Sequence, residues 1–174
     1  MIQRLRVPLG FAIAAFVLYL AKPVGTTILA GLPFALTGAI PRAMAAGTIR
    51  KDSQLATVGP YAWTRNPLYF GSFLLSVGFA IMSANWIAAA ALMIPSLVIY
   101  PNVIRNEEGH LERLFPEDFR SYRDNVPRFL PRLRRYNGSF SFKQYMANRE
   151  YNTALGFAAV LAVFIIRWAK WRLI

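Results

Sequence analysis

"GPYAWTRNPLYFG", residues 59–71, stands between two apolar runs, 24–46 and 68–84, and the second begins inside the stretch itself. Gly59-Pro60 makes a turn. Asn66-Pro67 opens a helix, with asparagine as a good N-cap and proline tolerated in the first turn. A helix start presents free N–H groups and the positive end of the helix dipole. Arg65 adds a full positive charge beside it. Such a boundary suits a carboxylate or a phosphate. The plainer reading is a membrane-entry turn dressed with interfacial aromatic residues.

The surroundings are those of a membrane protein. The chain has 174 residues, a single-domain length, of which 56% are hydrophobic and 16% charged. Its mean hydropathy is +0.35, too apolar for an ordinary soluble domain of this size. The net charge of +12 would point to nucleic acid on a soluble chain. Here the cations flank long apolar runs, which is the layout of a membrane protein and argues against a nucleic-acid partner. There is no cysteine, which excludes a disulfide framework, thiol catalysis and a thiolate metal site. No metal is expected.

Five apolar runs cover about 7–20, 24–46, 68–84, 87–104 and 154–166. A spanning helix needs about twenty apolar residues, so several are slightly short. The first two read as a tight hairpin broken at Ala21, Lys22 and Pro23, and the next two as a hairpin broken at Asn85 and Trp86. Pro33, Pro41, Pro95 and Pro101 fall in or near these runs, which membrane helices tolerate when neighbours satisfy the freed carbonyls. The first run lacks a small-x-small cleavage site and is expected to be retained as a helix. The expected fold is all-α: a polytopic membrane bundle of four to five transmembrane helices with a C-terminal cofactor-binding segment on the cytoplasmic side. The fifth run spans, tilts or lies at the interface.

Lysine and arginine set the orientation. With the N-terminus in the cytoplasm, Arg4, Arg6, Arg42, Arg50, Lys51, Arg65 and the ten cations of 105–150 are inside, against Lys22 alone in the outer turns. The positive-inside rule favours that arrangement. Arg167, Lys170 and Arg172 conflict with it if the fifth run spans, while Trp168 and Trp171 fit an interfacial anchor either way. The 42–66 loop and the 105–150 segment therefore meet at one membrane face.

The second constellation is "RNEEGHLERLFPEDFRSYRDNVPRFLPRL", residues 105–133. Helical spacing puts Tyr100, Val103, Ile104, Glu107, Leu111 and Leu114 near one stripe, so Glu107 interrupts an apolar face. Glu108 points about 100° away. An acid there needs a partner: Arg105 or Arg65 in a structural ion pair, or a cationic ligand. Pro116, Glu117 and Asp118 open a short helix. Arg128, Arg132, Arg134 and Arg135 then form an extended basic segment suited to anionic headgroups, each contributing about 1 kcal/mol. His110 reads as a solvated surface histidine.

Together, "LATVGPYAWTRNPLYFG" and "RNEEGHLERLFPEDFRSYRDNVPRFLP" resemble the isoprenylcysteine carboxyl methyltransferase and phospholipid methyltransferase superfamily over about residues 50–133. The resemblance implies a single integral membrane methyltransferase domain, 1–174. It divides into an N-terminal hairpin (1–46), a cofactor-binding motif region (47–133) and a C-terminal interfacial segment with the last helix (134–174). It implies S-adenosylmethionine as cofactor. Carried over by position, Ser53, Gln54, Leu55, Ala56, Tyr61, Arg65, Asn66, Pro67, Leu68, Tyr69 and Glu107 bind the cofactor. Glu108, the second glutamate of the pair, and Arg105, nearest to the family's acceptor-contacting arginine, are the candidate catalytic residues. Asn66 replaces the family's histidine, Pro116 a glycine and Ala56 a valine. The expected acceptor is a lipid or isoprenyl-type molecule with a carboxylate or amine head group, reached from the bilayer of a prokaryotic plasma membrane at its cytoplasmic face. A carboxylate acceptor needs no general base, whereas an amine must lose a proton. Two other classes fit the same scaffold: a membrane sterol-type reductase using NADPH, and a non-catalytic lipid-binding protein.

Overall fold

The computed structural model describes residues 2–50 and 53–171, with side chains placed from residue 10 onward apart from 11 and 171. Lys51, Arg172 and the side chains of Arg4, Arg6 and Trp171, which entered the charge and anchor readings, lie outside the described residues. The described chain is a helical membrane bundle with seven α-helices and no strand. They are α1 (Ile2–Leu20), α2 (Gly25–Ala46), α3 (Pro67–Ser83), α4 (Trp86–Leu114), α5 (Pro116–Asn125), α6 (Phe142–Ala147) and α7 (Tyr151–Trp171). Three helices are long and apolar enough to cross a membrane: Gly25–Ala46, Trp86–Leu114 and Tyr151–Lys170. Apolar Pro67–Met82 is shorter than a full span.

The helices form for the reasons the sequence supplies. The α3–α4 turn closes on Ala84 in the left-handed conformation, φ 47°. Asn85 then caps α4, its side-chain oxygen accepting from the N–H groups of Ile87 and Ala88, both at 3.0 Å. The α1–α2 break sits against the same end, where Lys22 N–H donates to the Ser83 carbonyl at 2.8 Å.

The most extensive helix pair is α2 against α3, antiparallel and nearly backbone to backbone. Gly31 and Gly38 on α2 face Gly78 and Gly71 on α3. A Cβ added at Gly38 would lie 2.5 Å from the Gly71 carbonyl oxygen, and one at Gly71 2.6 Å from that of Gly38. Only glycine admits this approach. In a bilayer, where apolar burial drives little helix association, such contact is what holds helices together. Val17, Ala21, Ile28, Ala35, Leu75, Met82, Ala88 and Phe164 form the main core. A second, smaller core of Phe119, Tyr122 and Val126 lies under α5, with Leu55, Leu111 and Phe115 packed on it.

Helix α7 packs at the rim against α1 and α2. Arg167 donates to the Leu18 and Tyr19 carbonyls at the end of α1. A cation is favourable at a helix C-terminus, so this charge, which conflicted with the orientation rule, is held by main-chain carbonyls. At the opposite end of the bundle the 47–66 connection and the chain after α4 meet, as the charge pattern required.

Candidate active site

The opening stretch is gripped from two sides. Residues 127–134 run antiparallel to it: Arg65 N–H donates to the Pro127 carbonyl at 2.9 Å, and Arg132 N–H to that of Trp63 at 2.9 Å. Thr64 Oγ1 donates to the Phe129 carbonyl at 3.0 Å, and Trp63 Nε1 to that of Arg134 at 2.8 Å. Phe129 stands edge-on to Phe70 and Phe73 of α3, ring centroids 5.6 and 5.8 Å away. From below, Tyr122 Oη donates to the Tyr61 carbonyl at 2.7 Å, so the core under α5 fixes the 59–62 turn. The basic segment read as a lipid clamp is thus also a strap along the motif.

The two glutamates of α4 divide their work. Glu108 is the buried acid, 6% exposed. It receives Arg65 Nε at 2.9 Å, Arg128 Nη2 at 2.8 Å and Asn66 Nδ2 at 3.4 Å. This corrects the stripe read from spacing, which placed Glu107 on the inner face. Glu108 is the i+4 neighbour of buried Ile104, and that row turns inward. Two further readings change with it. Arg65 is not a free cation at the start of α3, because Glu108 neutralises it and the Arg123 carbonyl takes another of its N–H groups at 2.8 Å. Asn66 makes no side-chain cap on α3. Its Nδ2 instead donates to Glu108 at 3.4 Å and to the Arg128 carbonyl at 2.9 Å, which turns the amide towards α4 and the strap.

Glu107 is exposed and faces a cavity of about 440 Å3. Tyr69 Oη donates to it at 2.6 Å, and the Tyr69 ring packs edge-on against Tyr100 at 5.3 Å. The volume is that of a small-molecule site. Gln54, Leu55, Ala56, Tyr61, Arg65, Asn66, Pro67, Leu68, Tyr69, Glu107 and Glu108 all line it. Ser53 does not: its hydroxyl donates to the Arg50 carbonyl at 3.1 Å, and it lines a neighbouring groove of about 790 Å3 that shares Gln54, Leu55, Ala56 and Tyr122 with the cavity. Arg105 does not either. It is exposed on α4, two residues and hence about 200° round the helix from Glu107. His110 is exposed at the cavity rim.

Four residues that reasoning from sequence passed over complete the walls or brace them. Arg42, Ser72 and Tyr100 line the cavity, and Glu150 holds Arg42. Arg42 Nη2 donates to Glu150 Oε2 at 3.0 Å and Nη1 to the Leu68 carbonyl at 3.1 Å, with a further bond to Ser72 Oγ. One signal was available: Glu150 is the sole acid after Asp124, and it stands at the start of an apolar run.

Tyr61 is 6% exposed, and its hydroxyl is the one buried side-chain polar atom among the described residues with no hydrogen-bond partner. Leaving such a group unmatched costs about 1–3 kcal/mol. Burial, then Tyr122 and the Glu107 carboxylate, push its pKa far above the ordinary tyrosine range, Arg42 opposing. Burial also raises Tyr122, with Arg65 opposing. Both phenols stay protonated.

No solved structure matches the chain. It is 37% identical over 128 residues to the nickel-cobalt-cadmium resistance protein NccN of Alcaligenes xylosoxydans xylosoxydans, covering 70% of this chain and 60% of the relative. It is 34% identical over 120 residues to the cobalt-zinc-cadmium resistance protein CzcN of Cupriavidus metallidurans, covering 66% of this chain and 55% of the relative. It is 34% identical over 77 residues to the human protein-S-isoprenylcysteine O-methyltransferase, covering 44% of this chain and 27% of the relative. The chain therefore spans little more than half the length of the first two relatives and less of the third. Residues 39–118, from the end of α2 through the glutamates to the start of α5, match the family model described as phospholipid methyltransferase. The chain belongs to the superfamily of isoprenylcysteine and phospholipid methyltransferases.

Proposed function

We propose that this chain is an S-adenosylmethionine-dependent methyltransferase acting on a lipid or isoprenyl-type acceptor at the cytoplasmic face of a bacterial plasma membrane. One observation carries the reading: the motif residues of two distant segments converge on one cavity, and Glu107 opens into it with, among the described residues, one hydrogen-bond partner, the Tyr69 hydroxyl. The donor set fits the cofactor. A carboxylate whose second oxygen accepts no hydrogen bond from the described residues suits an amino group, and the Gln54, Leu55 and Ala56 wall with the α3 start at Pro67 and Leu68 suits an adenosine end. S-adenosylmethionine supplies an electrophilic methyl group on a cationic sulfur.

The chain's own residues position and enclose. Tyr69 orients Glu107. Glu108, filled by Arg65, Arg128 and Asn66, holds the motif turn to α4, which makes it a positioning residue. Tyr61 and Tyr122 remain neutral and keep the turn rigid. Methyl transfer is an in-line displacement in which placement supplies much of the acceleration, and a site closed from water favours a reaction between an anion and a cation. Two relatives are named for metal resistance. The reading rests on the family match and on the methyltransferase relatives.

The test is incubation of the purified chain with methyl-labelled S-adenosylmethionine and a total lipid extract, followed by identification of the labelled product. A labelled apolar product is expected. Binding of a nicotinamide dinucleotide with no binding of S-adenosylmethionine would replace this reading by a reductase. Binding of neither would favour a lipid-binding protein without catalysis.

A further inference from the structure

One wall of the cavity, at Ile49, Arg50, Gln54, Leu55 and Ala56, belongs to the connection after α2 and has no helix over those residues. The C-terminal part of the chain holds it. Asn148, just after α6, donates from Nδ2 to the Ala46 carbonyl at 2.8 Å and to that of Ile49 at 3.1 Å. The last carbonyls of a helix lack intrahelical partners, so one amide both caps α2 and pins the residue that opens the wall. Ser141 N–H donates to the Gly47 carbonyl at 3.0 Å, and the Phe140 ring lies on Gly47 where a Cβ would stand. Asn137 Oδ1 accepts from Gly59 N–H at 3.3 Å at the far end of the same connection. Glu150, two residues after Asn148, holds Arg42, which donates in turn to the Leu68 carbonyl at 3.1 Å. Arg149 between them is left-handed, φ 55°. A non-glycine residue keeps that conformation only where its surroundings over-determine it. The α6–α7 turn thus reaches two sides of the cavity, Ile49 on one and Leu68 of α3 on the other. It lies after residues 39–118, the stretch that the family model matches.

We propose that the α6–α7 turn is a clasp that sets the cofactor wall of the cavity, with Asn148 as its positioning residue. Asn148 does not line the cavity. It acts through the Ile49 carbonyl and touches no reactant. The inference rests on the methyltransferase reading for the ligand, and adds to it a residue that shapes the site from outside the family-matched stretch. Helix α7 runs on from the clasp, and Tyr151–Lys170 is long and apolar enough to cross a membrane, so the wall is tied to a membrane helix that contributes no side chain to the cavity.

The full chain in lipid nanodiscs is compared with Asn148→Ala and with Asn148→Asp, which keeps the shape of the side chain but has no amide N–H to donate. Amide hydrogen exchange is followed over residues 47–58 and over α3 and α4, and S-adenosylmethionine affinity is measured by calorimetry. Both variants are expected to speed exchange over 47–58 at least about fivefold, the scale of one lost hydrogen bond, while α3 and α4 exchange as in the wild type. Both are expected to weaken S-adenosylmethionine binding by a similar factor. Phe140→Ala, at a ring of the same clasp that is 51% exposed, decides by the same measurements if neither Asn148 variant folds. Faster exchange throughout α3 and α4 overturns the proposal, because Asn148 would then serve the whole fold. An Asn148→Asp chain that matches the wild type overturns it too, because shape alone would suffice. So does faster exchange over 47–58 beside unchanged S-adenosylmethionine affinity. A wild type that does not bind S-adenosylmethionine, with faster exchange in the variants confined to 47–58, supports the clasp and overturns the methyltransferase reading alone.

Discussion

Adjacent glutamates at the end of α4 have opposite fates, because one residue turns a side chain by about 100°. Glu108 is enclosed by two guanidinium groups and an amide. Glu108→Gln removes the charge that matches buried Arg65, and breaking such a pair costs about 3–5 kcal/mol. A correspondingly lowered unfolding midpoint in detergent is expected, and an unchanged midpoint would remove Glu108 from its structural role. Tyr122 gives a pH signature. Its pKa is raised by burial in the folded chain, so its contribution is complete below the ordinary tyrosine pKa of about 10 and is lost as pH rises through the higher folded value. Thermal stability should fall above about pH 10, less steeply in Tyr122→Phe; parallel wild-type and variant curves would exclude that coupling. At this scale the sequence announced the pair of acids, the arginine and the asparagine. It did not announce who pairs with whom. The stripe drawn from spacing was one residue out of register, which exchanged the buried acid for the exposed one. Arg42 passed as a loop cation because its partner, Glu150, is 108 positions away.

Among the elements, the α2–α3 hairpin is set by backbone contact at Gly38 and Gly71. Gly38→Leu places a side chain where not even a Cβ fits, and it should cost folding outright; recovery of a stable, monodisperse chain in detergent would show that the helices need not be this close. The break before α4 depends on Asn85, which accepts two main-chain N–H groups. Asn85→Ala is expected to cost about 1 kcal/mol in a reversible unfolding assay, and no change would mean that the cap is redundant. The helices and their breaks were legible because apolar runs and turn residues act locally. The strap at 127–134 was not. Its pairing with the 63–65 stretch uses main-chain groups and a threonine hydroxyl, which leave no pattern in side-chain chemistry. Its arginines advertised only a surface.

For the whole molecule, the proposed orientation, with the site end of the bundle in the cytoplasm, rests on the charge asymmetry. The chain has no cysteine, so single cysteines report topology cleanly. Ser53→Cys and Ser139→Cys should both resist a membrane-impermeant thiol reagent applied to intact cells and react after lysis. Labelling of both from outside would invert the orientation. Convergence of two motifs at one membrane face was readable from their shared sign of charge and from the hairpins between them. The cavity was not, because its deep wall comes from α2 and a brace at the start of α7, segments with no motif. The central claim is that Glu107 opens into a site for S-adenosylmethionine, and calorimetric titration of that molecule into the wild type, Glu107→Gln and Glu112→Gln tests it most directly. Loss of a charge-assisted bond at Glu107 is expected to weaken binding by about 1.5–3 kcal/mol, tenfold or more. Glu112 is half exposed and pairs with Arg123 at 3.0 Å, a surface contact of about 0.3–0.5 kcal/mol, and its variant should bind like the wild type. No binding to the wild type, or equal affinities in the two variants, would contradict the claim.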